Sequence, residues 1–173
     1  MEKIHIELGS TSSIQAAIDK IEEYKYELQL KINDFVYKLI NEGVQVASIR
    51  VAGTEGDSDL PEVSYQIDTQ GNIVKARIML VGKDALFVEF GAGIAYNTGV
   101  QHPYAGELGY GPGTYPSEHP PNRAINPGRW VYGHDDDGEP IWSIGTQATM
   151  PLYGALESIR NNAIKKAVEI FRS

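Results

Sequence analysis

Four histidines and a short acidic run are the residues of this chain with the most obvious chemical potential. His134 is followed by Asp135, Asp136, Asp137 and, after Gly138, Glu139. Imidazole and carboxylates are adequate ligands for a divalent cation. A calcium loop, however, needs oxygen donors at alternating positions, a central glycine and a glutamate at the twelfth place, and this run lacks that order. It reads better as the solvated tip of a hairpin. His102, His119 and His134, with Glu89 or Glu107, can be combined on paper into a hydrolytic site. None of them has the four-residue helical spacing of a zinc hydrolase, and no serine stands in a Gly-x-Ser-x-Gly turn. His102 precedes Pro103 and His119 precedes Pro120, which predicts extended backbone at both. Gly91-Ala92-Gly93 resembles the opening of a phosphate-cradling turn, but the third glycine and a following Lys-Ser or Lys-Thr pair are missing. Neither a catalytic residue nor a cofactor or metal is expected.

Composition narrows the classes further. The 173 residues contain no cysteine, which removes disulfides, thiolate nucleophiles and sulfur-rich zinc sites together. The net charge of -8, from 15 Lys plus Arg against 23 Asp plus Glu, repels phosphate backbones and acidic membrane surfaces. No specific nucleic-acid binding and no membrane partner are therefore expected. The first residues lack the apolar core of a signal peptide, and no apolar run approaches the ~18 residues of a spanning helix. Synthesis in the cytoplasm is expected.

The elements that must position these residues are predicted as follows. Ile14, Ile18, Ile21, Leu28, Ile32, Phe35 and Leu39 recur at steps of three, four or seven, the stripe of an amphipathic helix over 13–42. Ser12 with Gln15 suits a capping box at its start and Gly43 a left-handed stop at its end. Such a helix is ~45 Å long, longer than a small domain, so part of it is expected to pack on a neighbouring subunit. Val44–Val51, Glu62–Thr69 and Ile73–Val81 are rich in β-branched residues and predict a meander over 44–81, with a turn at Gln70-Gly71-Asn72. Residues 91–140 hold 10 of the 18 glycines and 7 of the 9 prolines, so an irregular insertion is expected there. Its tyrosines, with Trp130 and Tyr132, predict a surface that another subunit buries. Trp130 to Tyr132 and Ile141 to Ser143 flank a second hairpin, and Pro151 opens a closing helix over 150–172. The expected class is α+β in a single domain over 1–173: an antiparallel sheet packed by a long N-terminal and a C-terminal helix.

The run Ala85-Leu86-Phe87-Val88-Glu89-Phe90-Gly91-Ala92-Gly93 resembles the signature of the gene-product-ten-like tail-component family of tailed bacteriophages. A similar Val-Glu-Phe-Gly-Thr-Gly element there precedes a variable Gly- and Pro-rich insertion; Ala92 stands here where threonine is common. His102-Pro103, Trp130-Val131-Tyr132 and the run Gly145 to Leu152, with Pro151 entering the last helix, also match that layout. The resemblance spans order and spacing from about residue 12 to 172. It implies a minor virion component at the head-tail connection, a ring-forming neck or tail-completion protein without catalysis. Its partners would be itself and other neck and tail proteins. Phe87, Val88, Glu89, Phe90, Gly91, Gly93, His102, Pro103, Trp130, Tyr132 and Pro151 are the signature and interface candidates. Two other classes stay open: a hydrolase or metal-dependent enzyme using the loop histidines, and a host-side protein-binding module.

Overall fold

The computed structural model describes residues 6–7, 9–56, 59–92, 101–108 and 130–172. Its first element is one long helix, α1 (Thr11–Ala52). The amphipathic stripe accounts for its first thirty residues, but both predicted ends are wrong. Ser10, not Ser12, is the N-cap: its hydroxyl accepts from the Ser13 amide at 3.3 Å, while Gln15 Nε2 donates to Asp19 Oδ1 and forms no capping box. Gly43 is no stop. It is buried inside the helix, where a Cβ would press on the side chains of Ile78 and Ile159, so glycine serves close packing there. The predicted strand Val44–Val51 is helical. Ile40, Gly43, Ala47 and Val51 are buried at steps of three and four, and that tertiary burial overrides the weak β preference of the valines. The helix ends at Gly53, whose amide donates to the carbonyls of Ile49 and Arg50.

The expected meander is therefore a two-stranded hairpin. β1 (Glu62–Gln70) pairs antiparallel with β2 (Ile73–Val81), from Glu62 opposite Val81 to Gln70 opposite Ile73. Gly71 and Asn72 form the loop; Gly71 alone takes positive φ, +58°, as a II′ turn requires. A short helix, α2 (Ala85–Phe90), follows and carries Phe87, Val88, Glu89 and Phe90. Among the described residues, the region expected to be irregular contains one helical turn, α3 (Ala105–Leu108), and at its end stands the expected second hairpin, β3 (Trp130–His134) paired with β4 (Pro140–Ser143). The remainder of that insertion, including Gly93 and His119, lies outside the described residues. A register shift between Val131 and Gly133 kinks β3. The chain closes with α4 (Pro151–Phe171), which has Pro151 in its first turn as expected.

α1 and α4 form an antiparallel pair: Gly154 lies against Arg50, Ile159 against Gly43, and the rings of Phe171 and Phe35 meet at 5.9 Å. The β1–β2 hairpin packs on the same stretch of α1, with Ile78 meeting Gly43. The architecture is α+β, and among the described residues the strands form two separate two-stranded sheets. Among the described residues, no helix is long and apolar enough to cross a membrane.

Candidate functional site

The second half of α2 is deeply buried: Val88 has no exposed surface, and Glu89 and Phe90 are 5% and 8% exposed. A carboxylate at that depth must be compensated, since an unpaired buried charge is costly. The compensation comes from the start of α4. Helix starts leave their first amides without intrahelical partners, and here the usual remedy is missing. Met150 occupies the N-cap in a left-handed conformation (φ 52°, ψ 55°) and makes no side-chain cap. Pro151 has no amide to satisfy, which leaves Leu152 and Tyr153. Glu89 supplies both: Oε2 accepts from the Leu152 amide at 2.8 Å and Oε1 from the Tyr153 amide at 2.9 Å. It is an N-cap delivered from 63 residues away, with its negative charge at the positive end of the helix dipole.

His102 completes the arrangement. Its ring is 6% exposed, its Nδ1 accepts from the Tyr104 amide at 3.1 Å, and its Nε2 lies 3.1 Å from Glu89 Oε1. Because Nδ1 must be the acceptor, the proton sits on Nε2 and is donated to Glu89. The ring also packs 4.5 Å from Phe90 and 5.3 Å from Tyr153, centroid to centroid. His102 is thus buried and triply contacted, more constrained than the simple extended residue its neighbour Pro103 suggests. Pro103 itself is exposed.

Hydrogen bonds between backbones also bind Val88 and Ala92 to the run before α4. Ala92 and Thr146 exchange amide-carbonyl bonds at 2.9 and 3.0 Å, the Thr149 amide donates to Val88 O at 3.1 Å, and Gln147 donates to Glu55 O. Gly91 adopts φ +80°, and a Cβ there would sit 3.1 Å from Ala148 Cβ. Glycine is needed for both the turn and the close approach. Arg50, at the end of α1, donates from Nη1 to Thr149 O at 2.9 Å and steadies the same run. Nothing in the sequence around Arg50 points to this role. A hollow of about 320 Å³ opens beside the site, lined by Leu80, Leu86, Phe90, Tyr104 and Leu156 with Glu89 and His102.

Of the residues singled out in the sequence, Phe87, Val88, Glu89, Phe90, Gly91, His102 and Pro151 come together here. Trp130 and Tyr132 lie in β3, in the second hairpin. The two described histidines do not converge: His102 is buried at α2, while His134 is exposed on that hairpin. There the acidic run caps its own turn, with Asp135 Oδ1 accepting from the Asp137 and Glu139 amides at 3.0 and 2.8 Å. Among the described residues, no three histidines and carboxylates gather as a metal site would require. Chemically, the Glu89-His102 pair is occupied: both ring nitrogens and both carboxylate oxygens already hold partners within the chain.

A second polar cluster lies between α1 and α4. Glu42 accepts from Ser158 Oγ at 2.6 Å and from Asn162 Nδ2, and pairs with Lys166 at 2.9 Å. Burial pushes its carboxyl upward, but the hydrogen bonds from Ser158, Lys166 and Asn162 and the charge of Lys166 outweigh that effect and hold it below the ordinary carboxylate range.

No family model, no curated protein and no solved structure matches the chain.

Proposed function

We propose that the chain is a structural subunit of a tailed-phage or prophage particle, a ring-forming protein of the head-tail connection or tail completion, and that it has no catalytic role. The observation that carries this reading is the convergence of the segments that bear the family resemblance. Val88 to Ala92, His102 and the run Thr146 to Tyr153 are far apart in sequence, yet hydrogen bonds join them at one junction. At that junction the distinctive residues cap a helix, turn the chain and fill space. Residues selected for chemistry would be expected to leave a proton-transferring atom or a ligand facing solvent; Glu89 and His102 face each other and the backbone of α4. An architectural signature of this kind suits a protein whose product is a shape.

The reading is tested by deleting the gene from a lysogen or phage that carries it and examining the induced particles by electron microscopy. Filled heads and tails that fail to join, or tails of aberrant termination, are expected, with restoration by the wild-type gene in trans. Normal numbers of complete, infectious particles from the deletion strain would overturn it.

A further inference from the structure

The ring of His102 joins the starts of two helices. At Nδ1 it accepts from the Tyr104 amide at 3.1 Å, and the His102 carbonyl accepts from the Ala105 amide at 3.0 Å, which closes the turn that enters α3. At Nε2 it donates to Glu89 Oε1, the oxygen that also accepts from the Tyr153 amide at the start of α4. Only a neutral imidazole can do both, because a protonated ring carries a hydrogen on each nitrogen and has no acceptor left. Three titratable groups face the ring from the described elements packed around it: Glu89 from α2, Tyr153 from α4 and Tyr104 from its own segment. The tyrosines present their rings and Glu89 its carboxylate. His102 is buried, but it lines the hollow beside α2, which gives water and a proton a route to it.

We infer that His102 is a proton-operated latch, whose protonation opens the turn into α3 and leaves the cap of α4 closed. A proton on Nδ1 sets one N–H against another, that of Tyr104, across 3.1 Å, so this hydrogen bond becomes a contact between two donors and has to part. The bond at Nε2 responds in the opposite sense. It becomes a cation donating to a carboxylate, and charge-assisted hydrogen bonds of that kind are roughly twice as strong as neutral ones. The proton therefore frees the ring from one neighbour and fastens it to the other. The side that yields is α3, a single turn of four residues that cannot sustain itself, whereas α4 has 21 residues and packs along α1. Tyr104 moves with the turn. Its ring lies 6.2 Å from that of Tyr153 on the rim of the hollow, so opening the turn uncovers Leu86, Leu152 and Leu156. The latch belongs to the chain by itself and goes beyond the particle assignment, which it neither needs nor supports.

The test is nuclear magnetic resonance on the full, isotope-labelled chain from about pH 8 to about pH 5, the range over which an imidazole ordinarily changes charge. The ring nitrogen shifts of His102 report its tautomer and its charge. Amide exchange, expressed as protection so that the intrinsic pH dependence of exchange cancels, reports each bond separately. At the alkaline end the hydrogen should sit on Nε2. As the ring charges, protection at Tyr104, Ala105 and Leu108 should fall about two- to tenfold, the range one hydrogen bond is worth, with the midpoint of the ring shifts. Leu152 and Tyr153 should stay protected. His102→Asn offers an acceptor to the amide two residues on but does not titrate, so its Tyr104 protection should be level across the range. The latch is overturned by a hydrogen on Nδ1 at the alkaline end, by a ring that stays neutral until the chain unfolds, or by Tyr104 protection that ignores the charge of the ring. Parallel loss at Leu152 and Tyr153 overturns it too, as does the same pH dependence in the asparagine variant. If that variant does not fold, the wild-type titration decides alone.

Discussion

Replacing Glu89 by glutamine keeps the size of the side chain and removes its charge and one acceptor oxygen. In the native site the two oxygens serve three donors: the amides of Leu152 and Tyr153 and Nε2 of His102. Glutamine turns one of those oxygens into an NH2 group that must face a donor. The loss of a helix cap costs about 0.5 to 2 kcal/mol. Removing a negative charge from a helix start adds about 0.3 to 1 kcal/mol, and a buried amide left without an acceptor costs about 1 to 3 kcal/mol. These effects overlap, so about 2 to 3 kcal/mol is expected for the substitution as a whole. For a chain of this size that corresponds to a melting temperature lower by about 4 to 12 °C. Urea unfolding gives the free energy, and hydrogen exchange at Leu152 and Tyr153 reports whether the cap is the cause. Both amides should lose protection ahead of the middle of α4. A loss below about 0.5 kcal/mol, with the two amides still protected, would refute the assignment of Glu89 as the distant cap of α4.

Gly43→Ala should destabilise by about 1 to 3 kcal/mol, because the added methyl meets Ile78 and Ile159, although the same change in an exposed helix would stabilise by about 1 kcal/mol; a variant that melts above wild type would contradict this. Glu42→Gln should cost about 1 to 2 kcal/mol near neutral pH. Since folding lowers the Glu42 carboxyl below its usual range, the ionised group stabilises above that range and the contribution is lost as pH falls through the lowered value. The gap between wild type and variant in urea titrations should therefore close in acid, and a gap that widens there would be incompatible with the cluster. On the second hairpin, Asp135→Ala should cost about 1 kcal/mol through two lost turn hydrogen bonds, whereas His134→Ala should stay within about 0.5 kcal/mol; thermal melts showing the reverse order would overturn the turn-capping account. Gel shifts at physiological salt should show no duplex binding tighter than about 1 µM, given the net charge of -8, and tighter binding would defeat the electrostatic argument.

The parts of the fold legible in the sequence are those set by local periodicity. The stripe from Ile14 to Leu39, the alternation around Gly71-Asn72 and the pattern entering α4 each specify their element without outside help. The failures come where tertiary packing decides. Gly43 reads locally as a stop, and only the approach of β2 and α4 explains why a helix keeps a glycine there. Val44 to Val51 has strand-like side chains, but Ala47 and Val51 continue the burial period of the helix, and packing outweighs a preference worth only tenths of a kcal/mol per residue. At the site, the residues were visible and their relation was not. Glu89 and His102 are 13 positions apart, and Leu152 lies another 50 beyond, so no spacing rule links them. A sharper signal was available in retrospect: a helix starting Met150-Pro151 carries no capping side chain of its own, and a carboxylate from elsewhere is the natural replacement.

The most direct test of the central claim is quantitative mass spectrometry of purified, salt-washed particles from a strain carrying the intact gene, with the portal protein as internal standard. This chain is expected to co-purify with complete particles at a fixed low ratio to portal, comparable to a ring of subunits. Its absence from washed particles, with the chain recovered only in the soluble lysate, would contradict the proposal that it is part of the virion.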